Sequence, residues 1–151
     1  MSFFKKKIKR FPLGIWIALI ALVLIFLAWL MQSYSLLDWE GAIELGVQDE
    51  SFNGNAAEQA LADVERGIAI ADIIWVLPLT IIAFIGLLKK RFIGFAAALM
   101  VFAICVYFPL FYVFRDSMNP EIKLAAILLW AVPSILAIIG LWANRMYFER
   151  R

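Results

Sequence analysis

Hydrophobic residues run along this chain in four long blocks, broken by short polar segments. The blocks cover residues 11–31, 67–88, 92–114 and 124–142, and Asp72 is the only charged residue inside them. Roughly 20 apolar residues in a helix cross the roughly 30 Å of a bilayer's hydrocarbon core. Each block therefore predicts a membrane-spanning helix. The turn between spans 2 and 3 is only Lys89, Lys90 and Arg91, which makes these two spans a tight antiparallel hairpin. A link of nine residues, 115–123, joins spans 3 and 4, and Asn119-Pro120 suits the start of span 4 because proline fits a first helical turn. The predicted fold is all-α: an integral membrane antiparallel four-helix bundle forming one domain over residues 1–151.

Only the loop 32–66 is a sizeable polar piece. Leu36, Leu37, Trp39 and Ile43 alternate there with acids, as in a segment lying at a membrane surface. Asn53-Gly54 marks a turn. Beyond it Ala57, Ala60, Leu61 and Val64 recur at helical spacing. No breaker other than Gly67 follows, so one helix is expected from about residue 56 to residue 88, with 56–66 standing beyond the membrane.

Charge sets the orientation. Basic residues precede span 1 (Lys5, Lys6, Lys7, Lys9, Arg10), fill the 89–91 turn and follow span 4 (Arg145, Arg150, Arg151). The loop 32–66 holds eight acids and one base. Short basic segments stay on the cytoplasmic side. Both termini and the 89–91 turn are thus expected in the cytoplasm, with 32–66 and 115–123 outside. Span 1 lacks a clear small-residue cleavage site and is expected to be a retained anchor. The membrane is expected to be a plasma membrane or a bacterial inner membrane, and the basic tails can also attract anionic lipid headgroups.

Small residues fall in steps of three and four along each span. The seams are Gly14, Ala18, Ala21 and Ala28; Asp72, Val76, Leu79, Ala83 and Gly86; Gly94, Ala98, Val101 and Cys105, continuing to Phe108 and Tyr112; and Ala126, Trp130, Pro133, Ala137 and Gly140. Such lines let membrane helices approach closely.

Candidate chemistry is sparse. Of 151 residues, 65% are hydrophobic, one is cysteine (Cys105) and none is histidine. That composition excludes bis-histidine haem, histidine-based triads and a disulfide within the chain. Asp72 is the leading polar candidate, because a carboxyl near hydrocarbon must face protein or water. Tyr112 and Arg115 are its expected partners, with Arg66 also in reach. The site reads either as a structural carboxyl or as a proton- or cation-binding group. Pro78, Pro109 and Pro133 each remove a helical donor, leaving the carbonyls of Ile74, Cys105 and Leu129 less satisfied. Kinks at the first two could open a cavity beside Asp72. Asp49, Ser51, Asn53 and Gly54 match the first half of a calcium loop, but Ala60 stands where its bidentate Glu should be, so only a looser loop including Asn55 and completed by Glu58 or Asp63 is open. The competing reading makes Asn55 the N-cap of the following helix.

The layout of four spans with a longer first outer loop resembles claudin-like and tetraspan proteins. Trp39 lacks the paired cysteines their loop signature requires. Span 1 lacks the acid of small multidrug transporters. Val64-Glu65-Arg66 only partly resembles a motif of membrane glutathione transferases, and the cysteines of quinone-linked thiol oxidoreductases are missing. These residues predict no catalytic group, no cofactor and no nucleic-acid partner. The expected partners are the bilayer and other membrane subunits. The expected function is a non-enzymatic accessory or interaction protein. The alternative is a small transporter or channel-like oligomer using Asp72.

Overall fold

The computed structural model describes residues 2–48, 51–114 and 120–148, apart from the side chains of Tyr112 and Ile122. A short helix α1 (Ser2–Lys5) leads into a two-stranded ribbon, β1 (Lys7–Ile8) and β2 (Phe11–Pro12), paired antiparallel with Ile8 opposite Phe11. Helix α2 (Leu13–Leu37) follows, then the short α3 (Trp39–Glu44). A single long helical run comprises α4 (Ala56–Ala71), a π-turn segment (Asp72–Val76) and α5 (Leu77–Leu88). Next comes α6 (Phe92–Val113). The last run comprises α7 (Pro120–Ala126), a second π-turn segment (Ile127–Ala131) and α8 (Val132–Ala143), and ends in a 3-10 turn at Arg145–Tyr147. Four of these helical runs are long and apolar enough to cross a membrane. The expected continuous helix over 56–88 is present, and α2 runs to Leu37, six residues beyond the apolar block.

The chain divides into two compact units, Met1–Val23 with Leu79–Arg151, and Leu24–Pro78. In the first, glycines let backbones touch. A Cβ added at Gly14 would lie 2.6 Å from the Gly140 carbonyl oxygen, and one at Gly86 would lie 2.7 Å from the Gly94 nitrogen. Buried Asn144 fastens the end of α8, donating through Nδ2 to the carbonyls of Phe4 (3.0 Å) and Gly140 (2.8 Å). Phe95 stacks on Phe148 with ring centroids 5.4 Å apart. Asn144→Leu should lower stability in detergent by about 1–3 kcal/mol, since the buried Gly140 carbonyl and the part-buried Phe4 carbonyl lose their donor. A melting curve indistinguishable from wild type would show that these bonds contribute nothing.

The second unit is closed by polar contacts to the backbone. Asp38 caps α3 by accepting the Gly41 N–H at 3.0 Å. Glu40 accepts from Ser51 Oγ (2.9 Å) and from the Phe52 N–H (3.2 Å), which ties the loop back to α3. Phe52 then meets the Trp39 ring at 5.4 Å and the Arg66 guanidinium at 5.7 Å. Asn55 is the N-cap of α4, its Oδ1 accepting the N–H groups of Ala57 and Glu58. Asn55→Ala should cost about 1 kcal/mol, visible as faster amide exchange over 57–60. Exchange unchanged from wild type would deny the cap that role.

The seams need one correction. Ala28, Leu79, Phe108, Ala126, Trp130 and Pro133 are only half-buried, whereas Trp29, Thr80, Pro109, Ala131 and Ser134 are buried. In spans 2 and 4 a π turn lies directly before or at the displaced positions. In it the Leu77 N–H reaches back five residues to the Asp72 carbonyl, and the Val132 N–H reaches back to Ile127. Such a turn holds one residue more than an α turn, so the buried line is offset locally, while Ala83, Gly86, Ala137 and Gly140 further along stay buried on the seam. In each case the widened turn ends two residues before a proline, Pro78 or Pro133. There proline's missing N–H has already broken the α ladder. Pro109, by contrast, lies inside continuous α-helix.

Two segments of the chain, 9–88 and 90–141, each a pair of predicted spans and so a first and a second hairpin, also repeat one another. Lys9-Arg10-Phe11-Pro12-Leu13-Gly14 opens the first and Lys90-Arg91-Phe92-Ile93-Gly94 the second. Trp75-Val76-Leu77-Pro78-Leu79-Thr80 is matched by Trp130-Ala131-Val132-Pro133-Ser134, one residue shorter. Thr80-Ile81-Ile82-Ala83-Phe84-Ile85-Gly86-Leu87 then pairs position by position with Ser134-Ile135-Leu136-Ala137-Ile138-Ile139-Gly140-Leu141. The fold keeps the correspondence. Thr80, Ala83, Gly86 and Leu87 are the buried residues of α5, and Ser134, Ala137, Gly140 and Leu141 those of α8. Lys9 and Lys90 share a left-handed backbone, with φ of 52° and 55°. Exchanging the hairpins carries the Gly14–Gly140 contact onto Gly94–Gly86.

Candidate functional site

Asp72 opens the first π-turn segment, and it is buried at 8% exposure. Helical spacing puts Glu65, Ala69 and Val76 on the same face of the run, and all three are buried. A π turn widens the helix and frees backbone carbonyls, which is why such turns recur at functional sites. The repeat sharpens this. Asp72 stands three residues before Trp75, and Ile127 stands three residues before Trp130. One widened turn therefore carries a carboxyl where its twin carries a hydrocarbon side chain.

Expected partners of Asp72 fall in different places. Arg66 sits over the Phe52 ring. The backbone of Tyr112 belongs to α6, but its side chain lies outside the described residues, as does all of Arg115. In the proposed calcium loop, Ser51 Oγ bonds to Glu40, and Asn55 Nδ2 donates to Glu58 Oε1 at 3.2 Å. Asn53 is exposed, and its N–H donates to Ser51 Oγ at 3.0 Å. Asp49 is outside the described residues. Among those described, no three His, Cys, Asp or Glu side chains gather as a metal site would require.

Glu65, one of the eight acids of the 32–66 loop, is buried at 8% exposure. Its signal was available, since Glu65 lies seven residues before Asp72 and so continues the same seam. Around it the arm behaves oppositely. Ala57, Ala60, Leu61 and Val64, the residues at helical spacing, are exposed, with Leu61 at 38% and Val64 at 55%. Ala62 and Glu65 take the buried side. Compared with family models, curated proteins and solved structures, the chain matches none.

Proposed function

We propose that this is a small polytopic membrane protein that acts by association, as a non-enzymatic accessory subunit in a plasma or bacterial inner membrane. One observation carries the reading: the exposed stripe of Ala57, Ala60, Leu61 and Val64 on α4. The run Ala56–Leu88 is 33 residues long. At about 1.5 Å per residue it extends about 20 Å beyond a hydrocarbon core of roughly 30 Å. That surplus places the stripe in water, where apolar residues at this spacing form a helix-docking face. Glu58 and Asp63 flank it, so the matching partner is a membrane subunit with a basic, apolar segment on the same side.

The test is co-extraction from native membranes in mild detergent. Leu61→Asn with Val64→Asn should reduce the partner roughly tenfold or more. The thermal midpoint of the chain itself should not move, because both side chains are exposed. Retention of the partner by this variant, or extraction of wild type as a lone chain, contradicts the reading.

A second reading, proton or cation passage through an oligomer, is favoured by Asp72 on its widened turn. In proteoliposomes Asp72→Asn should then abolish the flux. A flux equal to wild type in that variant rejects it.

A further inference from the structure

At the end of the first unit that carries the 89–91 turn, a cleft of about 730 Å³ opens between Arg10, Lys89, Arg91, Phe92 and Ile93. We propose that it holds the anionic phosphate of a membrane phospholipid. The proposal rests on the membrane reading given above. Three cations converge on one cleft, and no ion pair neutralises them among the described residues. The chain has no acid from residue 1 to residue 37 or from residue 73 to residue 115.

Two of the cations are arginines, whose planar forks match phosphate oxygens. They are twins in the repeat, Arg10 from the first hairpin and Arg91 from the second, so the fold brings both to one place. Arg10 is held there. Its guanidinium lies 5.2 Å from the Phe11 ring, and one Nη donates to the Leu88 carbonyl at 3.3 Å, which leaves its other donors without a hydrogen bond among the described residues. Lys90, which does not line the cleft, sets its Nζ 5.0 Å from the Tyr147 ring and 5.8 Å from the Phe11 ring. The Tyr147 hydroxyl in turn donates to the Arg10 carbonyl at 3.0 Å.

The remaining wall argues for a lipid over a free anion. Phe92 is 55% and Ile93 63% exposed, directly beside the cations. A soluble phosphate gains nothing from that surface, but an acyl chain descending from a bound headgroup would cover it. Basic pockets at the ends of membrane helices take anionic headgroups on this principle. The volume is within the roughly 300–1,000 Å³ of small-molecule sites.

The test uses the full chain in lipid nanodiscs, released into detergent and weighed by native mass spectrometry. Wild type should keep one dioleoylphosphatidylglycerol and release dioleoylphosphatidylcholine roughly tenfold more readily. Arg91→Gln should weaken that retention roughly tenfold, and millimolar inorganic phosphate should not displace the lipid. Lys5→Gln with Lys7→Gln, which removes more charge outside the cleft, should stay near wild type. Arg10→Gln also breaks the Leu88 bond, so Arg91→Gln is the deciding variant. Equal losses in the Lys5/Lys7 variant, full retention by Arg91→Gln, or displacement by inorganic phosphate each overturn the proposal. Flotation with neutral phosphatidylcholine vesicles separates the two levels. A chain that floats but does not select phosphatidylglycerol rejects this site, and a chain that does not float rejects membrane insertion.

Discussion

Gly86→Val lowers the stability of the detergent-solubilised protein by about 3 kcal/mol, at the upper end of what overpacking costs. The reason is the identity of the obstacle. A new Cβ at residue 86 would press on the Gly94 nitrogen at 2.7 Å, and backbone cannot rotate aside as a side chain can. Helices α5 and α6 would have to part beside their three-residue turn, loosening the neighbouring packing too. Because the hairpins repeat, Gly14→Val should do comparable damage through the Gly140 carbonyl, 2.6 Å from its Cβ. Gly67 supplies the control, since nothing lies within 4 Å of its added Cβ. Gly67→Ala should stabilise the helix by about 0.5–1 kcal/mol. Chemical denaturation in detergent reads all three. A valine at 86 as harmless as an alanine at 67 would mean that the close helix approach is not part of the fold.

Asp72→Ile raises stability by about 1–3 kcal/mol, against the usual direction for a buried substitution. Burying a carboxyl among apolar side chains is expensive, and the cost at the centre of a membrane helix is about 2.5–3.5 kcal/mol on insertion scales. Isoleucine is what the second widened turn carries at Ile127, so the local backbone accepts that side chain. Asp72→Asn should fall between the two, because the amide removes the charge but keeps a polar group. If the acid serves the protein, the stabilised variant loses that activity, the usual trade at functional positions. A loss of stability in Asp72→Ile would instead show that the carboxyl is anchored by partners that hold the fold together.

Much of this architecture is legible in the letters, and the failures have physical causes. Span lengths and the 56–88 helix follow from run length alone, because no turn signal interrupts either. Asn55 as a cap follows from one side chain with a nearby helix to serve. The seams missed at residues 79, 130 and 133 beside the two π turns, which heptad counting does not anticipate, while Ala28 and Phe108 slipped within continuous α-helix. Proline marked those turns without revealing their form, since Pro109 has the same chemistry and no widened turn. The stripe on α4 follows from helical spacing, but whether it faces protein or solvent does not. Alanine, leucine and valine suit a buried face and a docking face equally. Glu65 does not stand out in the letters, because it is one of eight acids in a polar loop. The hairpin repeat was in the sequence throughout, from Thr80–Leu87 and Ser134–Leu141 to the paired lysine-arginine-phenylalanine openings. It needs comparison of the chain with itself rather than span by span.

The most direct measurement is the sidedness of single introduced cysteines toward a membrane-impermeant maleimide. Native Cys105 is 2% exposed and buried within α6, so it contributes little background. Lys6→Cys and Arg145→Cys should label only after the vesicles are opened, while Glu44→Cys and Glu58→Cys label in intact right-side-out vesicles. Labelling of positions 6 and 58 from the same face would contradict four crossings with the acid-rich segment opposite the basic ends.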